Sequence, residues 1–376
     1  MPGTSSNEKT FAVILAGGGG TRLWPSSRRA RPKQLLTLGG DESLLASAVR
    51  RAREVVGLER TLIVTAADQE AQVRAAVPSL PAANVIAEPT ARNTAPAVGL
   101  GAVAAARRAG TDAVIGVLPA DPFIGDEAEF QRLLRAAFAE AAAHGADATL
   151  DAIVTIGINP TYPETGYGYI KVGDAVPAPR AAGADVRFVD RFVEKPDLAT
   201  AKTYVASKSF LWNSGMFFLT ARRLMHEARV QLPELARVLD DAVAAPDEAA
   251  AAAVVRERYG QAKSISIDNG IMEAAKGLRV LPGSFGWNDV GSWSAVATIR
   301  NADAAGNVVL GGATLIDGTN SLVVAEEGAP YVGVVGVSDL VVVATKDAVL
   351  VIPKALAQDV KKIVEAAKAA GRQDLL

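Results

Sequence analysis

The sequence predicts an α/β protein in which a mixed, mostly parallel sheet is followed by a short all-β segment. Three observations support this fold class. Apolar strand-like runs alternate with Ala-rich helical stretches through the first half, the composition changes after Arg300, and short Val-rich runs separated by turn residues then follow. Because parallel strands are covered on both faces, they read as continuous apolar runs rather than as alternating ones. We place a domain boundary near Arg300, which gives an α/β domain over 1–300 and a β domain over 301–376.

The first half contains predicted strands and helices in alternation. The strands are Phe11–Ala16, Thr61–Thr65, Asn84–Ala87, Ala113–Leu118 and Ala152–Ile158. The helices are Ser43–Val55, Asp68–Ala76, Thr94–Ala109 and Glu127–His144. Ligands bind to such sheets beyond the carboxyl ends of the strands, so the residues that follow each strand are the first candidates for function.

The chain after residue 158 divides into three parts. Residues 159–293 are irregular, with clusters of Gly, Tyr and Trp separated by two Ala-rich helices. Residues 307–353 are dense in Val, Leu and Gly, and the turn sequences DGTN and EEGAP separate their short apolar runs. Such short strands build a small sandwich or a β-helix, and without a strict repeat both stay open. Residues 355–370 contain alternating Lys and Glu and predict a closing helix.

The composition excludes several classes of chemistry. The 376 residues include no Cys and two His, which excludes thiol nucleophiles, disulfide frameworks, cysteine-bound metals and a three-histidine zinc site. A net charge of −2 gives no strong field toward nucleic acid or an anionic membrane. The sequence shows no signal peptide and no apolar run of about 20 residues, so we expect a cytoplasmic protein that binds neither nucleic acid nor membrane.

A glycine-rich loop follows the first predicted strand and is the first candidate for an anion site. It reads Leu15-Ala16-Gly17-Gly18-Gly19-Gly20-Thr21-Arg22, and basic residues up to Lys33 come after it. Glycines let the backbone approach an anion closely and point several N–H groups at it. The loop is not a P-loop, because GK[ST] is missing, and it lacks the third glycine of the GxGxxG fingerprint of dinucleotide-binding dehydrogenases. A flexible turn beside a solvated basic stretch is the purely structural alternative.

Two carboxylates far apart in the sequence are candidates for a metal site. Asp121 follows the fourth predicted strand within L-P-A-D-P, and Asp289 lies in G-W-N-D-V-G-S-W. Mg²⁺ commonly takes one or two carboxylates and fills its other positions with phosphate oxygens and water. Taken alone, Asp121 is equally a turn residue before Pro122, and Asp289 a turn residue between aromatic side chains.

A third motif offers a carboxylate for a nucleotide base. Glu88 follows the third predicted strand in E-P-T-A-R-N-T-A-P. A carboxylate accepts well from the N1–H and N2–H₂ donors of guanine, a donor pair that adenine lacks. The same motif is also a plain helix start, in which Asn93 or Thr94 caps the first turn.

Three further motifs offer groups for a polar ligand: E-T-G-Y-G-Y-I, F-V-E-K-P and L-W-N-S-G-M. Their glycines permit close backbone approach, Glu194 and Asn213 suit hydroxyl groups, and Lys195 suits an anion. Taken singly, the tyrosines are equally core aromatics, and E-K-P is equally an exposed ion pair before a turn.

Together these motifs resemble a known family. G-G-G-G-T-R-L-W-P, followed by P-K, is similar to the signature loop of sugar nucleotidyltransferases, and Trp24 and Gln34 resemble the mannose-1-phosphate guanylyltransferase branch. The remaining motifs stand in the order of that family, and the resemblance covers residues 11–298 densely and 307–368 more loosely. It implies a Rossmann-like nucleotidyltransferase domain and a C-terminal left-handed β-helix. It also implies the reaction of GTP with mannose 1-phosphate to GDP-mannose and pyrophosphate.

The resemblance further implies roles for particular residues. It assigns catalysis to Arg22, Lys33, Asp121 and Lys195, and an Mg²⁺ ion to Asp121 and Asp289. It assigns the nucleotide to Leu15, Ala16, Gly17, Gly18, Gly20, Thr21, Arg22, Lys33, Glu88, Asn93, Thr94 and Asp121. It assigns the sugar phosphate to Gly166, Tyr167, Glu194, Lys195, Asn213 and Gly215.

The chain departs from the family pattern at a few positions. Pro122 stands where many guanylyltransferases have His, and Asn269, Gly270 and Ala274 replace Tyr, Ala and Lys of the segment S-I-D-Y-A-V-M-E-K. Asp268 of that segment is interpreted as a helix cap and receives no catalytic role. Two alternatives stay open, namely another sugar 1-phosphate or nucleotide, and a non-catalytic sensor of nucleotide sugars. The β-rich tail also favours a homodimer.

Overall fold

The computed structural model describes residues 7–18, 20–38 and 40–376, and the contacts among them divide the chain into two units. Unit 1 contains 7–16, 48–120 and 126–285. Unit 2 contains 17–18, 20–38, 40–47, 121–125 and 286–376. The glycine loop, the turn after residue 120 and the C-terminal part therefore belong to one unit, although the sequence separates them widely. The predicted domain boundary near residue 300 divides the chain at one sequence position, whereas the two units combine separated segments. The boundary therefore stays a prediction.

The described residues of unit 1 form a nine-stranded sheet. Its strands are β1 (Thr10–Ala16), β2 (Thr61–Ala66), β3 (Val85–Glu88), β4 (Val114–Pro119), β5 (Ile153–Ile158), β6 (Tyr169–Ala175), β7 (Arg187–Val193), β8 (Phe210–Thr220) and β9 (Leu278–Gly283). Their order across the sheet is β3-β2-β1-β4-β8-β5-β9-β7-β6. Strands β1 to β4 are parallel, as is the β5–β9 pair. The sheet is mixed, as predicted, with a larger antiparallel share than expected, because β8 pairs antiparallel with β4, β5 and β6.

The helix bounds agree best with those predicted from the sequence where capping residues mark the helix ends. They are α1 (Leu44–Val56), α2 (Glu70–Ala76), α3 (Thr94–Ala109), α4 (Glu127–Glu140), α5 (Leu198–Ser207), α6 (Ala221–Gln231), α7 (Pro233–Ala244), α8 (Glu248–Arg258), α9 (Trp293–Thr298) and α10 (Val360–Ala369). The prediction for α3 is confirmed at both ends, because Asn93 caps its first turn and Gly110 ends it at φ 85°. The helix predicted to reach His144 ends at Glu140, and residues 159–293 contain four helices instead of two. No helix within the described residues is both long and apolar enough to cross a membrane.

Helix α3 packs directly on the sheet of unit 1. Val13 of β1 and Leu62 of β2 are fully buried and share one core with Val98 and Leu100 of α3. A Cβ on Gly101 would lie 2.4 Å from Cγ1 of Val13, so only glycine lets the helix approach β1 this closely. This packing fixes the carboxyl end of β1, after which the glycine loop begins.

The C-terminal strands of unit 2 form a β-helix-like stack. They are β10 (Val308–Gly311), β11 (Ala313–Ile316), β12 (Leu322–Ala325), β13 (Val332–Val335), β14 (Leu340–Ala344) and β15 (Val349–Pro353). Strands β10, β12 and β14 pair in parallel, β11 pairs in parallel with β13, and β15 pairs antiparallel with β14. Parallel pairing between non-consecutive short strands is typical of a β-helix, whereas sandwiches are antiparallel. Of the two predicted alternatives, the β-helix is therefore confirmed.

Candidate active site

The glycine loop gives unit 2 a tight turn lined by backbone. Gly18 and Gly20 have φ angles of 112° and 55°, and Gly19 lies outside the described residues. A Cβ on Gly20 would lie 2.6 Å from Cβ of Lys33 and 3.3 Å from its backbone nitrogen. The positive φ and this close approach together require glycine at position 20. The chain then forms a 3₁₀ turn over Thr21–Leu23.

Lys33 connects the glycine loop to both candidate aspartates. Its ammonium group donates to Oδ2 of Asp121 at 2.6 Å and to the backbone carbonyl of Asp289. The Lys33 side chain is 11% exposed and the Asp121 side chain is 41% exposed. The lysine is therefore enclosed by protein, while the carboxylate remains accessible to solvent or a ligand.

Two short turns bring the aspartates together. Phe123 and Asn288 exchange both of their backbone hydrogen bonds, at 2.8 Å and 3.0 Å. The side chain of Asn288 accepts from the N–H of Val290 at 2.7 Å, and Oδ1 of Asp289 accepts from the N–H of Gly291 at 3.1 Å. These bonds fix the two aspartate-bearing turns against each other.

A cavity of about 210 Å³ lies at this cluster. Its lining consists of Gly17, Gly18, Gly20, Arg22, Leu23, Lys33, Gln34, Asp121, Asp289 and Gly291. Loop backbone, two cationic side chains and two carboxylates therefore face the same space. Amide N–H groups and cations bind oligophosphates, and carboxylates bind a divalent cation that phosphates share.

The donor set fits a magnesium ion that is held jointly with a phosphate ligand. Asp121 and Asp289 supply two carboxylates, and Mg²⁺ usually binds through one or two of these with phosphate and water around it. In the part of the chain that the structure describes, no group of three or more His, Asp or Glu side chains is arranged around a metal position. Two carboxylates are within the number that Mg²⁺ commonly takes from a protein.

Unit 1 encloses Glu88, the predicted guanine ligand. Glu88 is buried, and its Oε1 accepts a hydrogen bond from the hydroxyl of the fully buried Tyr259. Burial raises the pKa of Glu88, and the bond from Tyr259 lowers it in part. Burial next to this carboxylate also raises the pKa of the Tyr259 hydroxyl. Sequence reasoning missed Tyr259, because no local motif connects two residues that lie 171 positions apart.

Other residues of unit 1 that were predicted to bind the nucleotide form hydrogen bonds within the protein. The carbonyl of Leu15 accepts from the backbone N–H that follows β4, and that of Ala16 accepts from a threonine hydroxyl of β2. Oδ1 of Asn93 accepts from the N–H of Thr94 at 2.8 Å, and the Thr94 hydroxyl accepts from the N–H of Ile267 at 2.8 Å. These groups hold local structure, and their contact with a nucleotide stays a prediction.

Unit 1 also gathers polar residues that were predicted for the sugar phosphate. Glu194 accepts a hydrogen bond from Lys195, whose φ is 46°. Nδ2 of Asn213 donates to Oδ1 of Asp268 at 2.8 Å. A Cβ on Gly168 would lie 2.5 Å from Oε2 of Glu194 and 3.3 Å from Cβ of Asn213, so both side chains approach one point of the backbone. The structure therefore brings Glu194, Lys195 and Asn213 together and adds Asp268 to them.

The interpretation of Asp268 as a helix cap is wrong. Asp268 opens a helical turn over Asp268–Met272 that has no side-chain cap, and its carboxylate accepts from Asn213 instead. Burial is the main cause that raises its pKa to about 6, and the charge of Glu194 adds to it, while Asn213 and Lys195 oppose the rise. Its place in the S-I-D segment was the available signal, and a cap is the commoner role of such an aspartate.

The remaining predicted sugar residues lie on the same unit. The N–H of Gly166 donates to a neighbouring glutamate at 2.8 Å, and the Tyr167 ring meets Trp212 edge-on with centroids 5.3 Å apart. Gly215 has a φ of 71°, and its N–H donates to Oδ1 of Asn213 at 3.0 Å. Gly215 therefore orients the Asn213 amide, which turns its Nδ2 toward Asp268.

Known families match both parts of the chain. The nucleotidyl transferase family matches residues 11–306, and the family described as MannoseP isomerase/GMP-like beta-helix domain matches residues 311–366. A solved structure from Thermus thermophilus, named mannose-1-phosphate geranyltransferase, is 36% identical with a TM-score of 0.83 and covers 96% of this chain and 99% of its own.

Curated relatives match nearly the whole chain. Mannose-1-phosphate guanylyltransferase ManC of Salmonella typhimurium is 41% identical over 97% of this chain and 75% of its own. Mannose-1-phosphate guanylyltransferase of Escherichia coli K12 is 40% identical over 98% and 76%, and xanthan biosynthesis protein XanB of Xanthomonas campestris is 39% identical over 96% and 74%. The chain therefore belongs to the nucleotidyl transferase family, in the branch of the mannose-1-phosphate guanylyltransferases.

Proposed function

We propose that this chain catalyses the reaction of GTP with mannose 1-phosphate to GDP-mannose and pyrophosphate. One observation carries the proposal above the others: the Lys33 ammonium group binds Asp121 and the Asp289 carbonyl at once, beside the glycine loop. That arrangement places a cation, two carboxylates and loop amides around one cavity, which is what a metal-bound triphosphate needs.

The proposed reaction is an in-line displacement at the α-phosphorus of GTP. A phosphate oxygen of mannose 1-phosphate attacks that atom, the bond to the oxygen that bridges to the β-phosphate breaks, and pyrophosphate leaves with the electron pair. Negative charge builds on the leaving group, so positioning and charge stabilisation supply most of the catalysis. Arg22 and Lys33 stabilise that charge, and the N–H groups of the glycine loop hold the phosphates.

Asp121 and Asp289 would hold the magnesium ion. When bound, the ion reduces the repulsion between the two anionic phosphates that must approach each other. Lys33 keeps the Asp121 carboxylate in place through its 2.6 Å bond. A charge change at Asp121 therefore acts on the metal and on the position of Lys33 together.

The polar cluster of unit 1 supports the sugar side of the proposal. Lys195, whose side chain is 61% exposed beside Glu194, supplies a cation for the sugar phosphate. Asn213 and Glu194 supply an amide and a carboxylate for hydroxyl groups. Glu88 and Tyr259 are the groups proposed to discriminate the base. The carboxylate accepts hydrogen bonds, and the hydroxyl that is bonded to it can both donate and accept them.

The test is pyrophosphate release with GTP, mannose 1-phosphate and Mg²⁺, comparing the wild-type chain with Asp121→Ala and Asp185→Ala. Asp185 forms an exposed pair with Arg187 and serves as the matched control. We expect Asp121→Ala to lose about 10²-fold or more in kcat, the scale for removing a charge-stabilising group from a site, while Asp185→Ala keeps the wild-type rate. Near wild-type kcat in folded Asp121→Ala would refute the assignment of the metal site.

The sensor alternative predicts a different outcome in the same assay. A non-catalytic sensor would bind GTP, measured by calorimetry, and release no pyrophosphate with any sugar phosphate. The joint presence of Arg22, Lys33 and both carboxylates at one cavity favours the enzyme, because a sensor has no need to stabilise a leaving group.

A homodimer is the quaternary state that we propose, and the cytoplasmic location stays a prediction. Ile316 and Val335 of the β11–β13 sheet are 52% and 66% exposed, and Tyr331, which immediately precedes β13, is 72% exposed. Ile316 and Val335 are register partners, so they form one apolar patch. Light scattering should give twice the chain mass, and Val335→Glu should give the monomer; a wild-type monomer would contradict the proposal.

A further inference from the structure

The last segment of the chain, residues 354–376, lies under the turn that follows the glycine loop. Val360 of α10 is fully buried and belongs to the same apolar core as Leu23 and Trp24, which are themselves buried. Both parts belong to unit 2, although more than 300 residues separate them in the sequence. The turn after the glycine loop and the end of the chain therefore share one hydrophobic core.

Directed hydrogen bonds join the same two parts. The indole N–H of Trp24 donates to the backbone carbonyl of Leu375 at 2.8 Å, and Arg28 donates to that same carbonyl. The carbonyl of Trp24 accepts from the buried indole N–H of Trp293 at 2.9 Å. The tryptophan after the catalytic turn is thus fixed from both sides, one of which is the chain end.

A third contact reaches the catalytic side chain itself. Oε1 of Gln358 accepts a hydrogen bond from Nη1 of Arg22 at 3.1 Å. Gln358 lies in the 3₁₀ helix over Lys354–Asp359, immediately before α10. Since α10 is anchored in the core by Val360, the amide is held on a supported element rather than on a free tail.

We propose that Gln358 is a positioning residue for Arg22, and that residues 354–376 hold the catalytic turn in its phosphate-binding conformation. The role of Arg22 in this inference rests on the proposed function. The guanidinium has five N–H donors in a fixed plane, so a bond at Nη1 restricts its orientation and leaves other donors for the phosphates. Holding it before GTP arrives reduces the rotamer entropy that binding would otherwise lose.

An amide at position 358 affects Arg22 differently from a carboxylate. Gln358 accepts a hydrogen bond without carrying charge, so Arg22 keeps its full positive charge for the leaving pyrophosphate. A glutamate would hold Arg22 at least as firmly, since hydrogen bonds between charged partners are stronger, but it would neutralise the charge that the reaction uses. Geometry and charge can therefore be separated by two substitutions at one position.

The experiment is a double-mutant cycle on kcat/KM and on the Kd for GTP, using Gln358→Ala, Arg22→Ala and the double variant. We expect Gln358→Ala to lower kcat/KM for GTP about fivefold, the factor that corresponds to about 1 kcal/mol for one hydrogen bond to a charged group in an exposed position. The KM for mannose 1-phosphate should not change. In the Arg22→Ala background, Gln358→Ala should have no further effect. An equal loss in both backgrounds would overturn the proposal.

Two further variants separate positioning from general stability. Gln358→Glu should lower kcat/KM for GTP more than Gln358→Ala does, although its hydrogen-bond acceptor is retained; a wild-type value would overturn the proposal. Gln373→Ala, an exposed glutamine in the same segment, is the matched control and should retain the wild-type value. A loss in Gln373→Ala equal to that in Gln358→Ala would likewise contradict a specific role.

Hydrogen exchange tests the inference without activity. The amides of Leu23, Ser26 and Ser27 are bonded within the turn, at 3.0 Å each. Trp24→Phe keeps an aromatic ring but removes the donor to Leu375, so these amides should exchange faster in that variant while amides of unit 1 exchange as in the wild type. Unchanged exchange would overturn the role of the chain end. Absent turnover in the wild type would refute the proposed function and leave this result valid.

Discussion

Replacing Gly20 by alanine tests whether the geometry of the glycine loop positions Lys33, the lysine proposed to act in catalysis. Gly20 has φ 55° and ψ 28°, in the left-handed region, where an L-residue costs about 1–2 kcal/mol. The new Cβ would lie 2.6 Å from Cβ of Lys33 and 3.3 Å from its backbone nitrogen. These are the first atoms of the lysine, so side-chain rotation does not relieve the contact and the backbone has to move.

The size of that movement sets the expected loss of activity. Carbon atoms settle at about 3.5–4.0 Å, so the loop and Lys33 must separate by roughly 1 Å. A misplacement of about 1 Å can reduce a rate about 10²-fold. We therefore expect Gly20→Ala to lower kcat/KM for GTP by about two orders of magnitude while the chain stays folded.

Two other glycines separate the causes of that loss. Pyrophosphate release would be measured at saturating mannose 1-phosphate, with folding checked by circular dichroism. Gly333→Ala meets no atom within 4 Å and has no positive φ, so it should behave as wild type; Gly110→Ala has a φ of 85° and open space, so it should lose stability alone. Wild-type kcat/KM in Gly20→Ala, or an equal loss in Gly110→Ala, would show that the close approach of Gly20 to Lys33 does not set the activity.

Further predictions concern the buried acids of unit 1. Tyr259→Phe removes a donor to the buried Glu88, so the free energy of unfolding in urea should fall by about 1–3 kcal/mol, and an unchanged value would contradict that bond. Because the pKa of Asp268 is raised from 3.8 to about 6, the folded state binds more protons there than the unfolded state between these values. The free energy of unfolding should therefore fall as pH rises through this window, and Asp268→Asn should flatten the slope in urea titrations. Asp268→Asn should also raise the KM for mannose 1-phosphate and leave the KM for GTP unchanged. The reverse pattern would contradict a role of Asp268 in binding the sugar phosphate.

The sequence predicts single elements well where local physics marks them. Helix α3 lies where it was predicted because Asn93 caps its N-terminus and Gly110 ends it. Strands β6 to β9 were not predicted, since polar residues interrupt their apolar pattern, whereas the short strands after residue 307 were expected. Strand β7 contains only exposed and half-buried residues over Arg187–Val193, and β8 includes the polar pair Asn213 and Ser214.

Contacts within the candidate site were likewise only partly predictable from the sequence. Residue types and motifs identify Lys33, Asp121 and Asp289, and their common cavity follows from two turns that pair only in three dimensions. The partners of Arg22 and Asn213 lie 336 and 55 residues away, at Gln358 and Asp268. No periodicity or spacing encodes such pairs, because tertiary packing decides them.

The most direct test of the proposed reaction is pyrophosphate release with Mg²⁺ across GTP, ATP, dTTP and UTP, each with mannose, glucose and fucose 1-phosphate. We expect turnover with GTP and mannose 1-phosphate well above every other pair. Turnover with a different pair would be compatible with the phosphate site and contradict the assigned substrates. A folded chain that binds GTP and releases no pyrophosphate with any pair would contradict the proposed reaction.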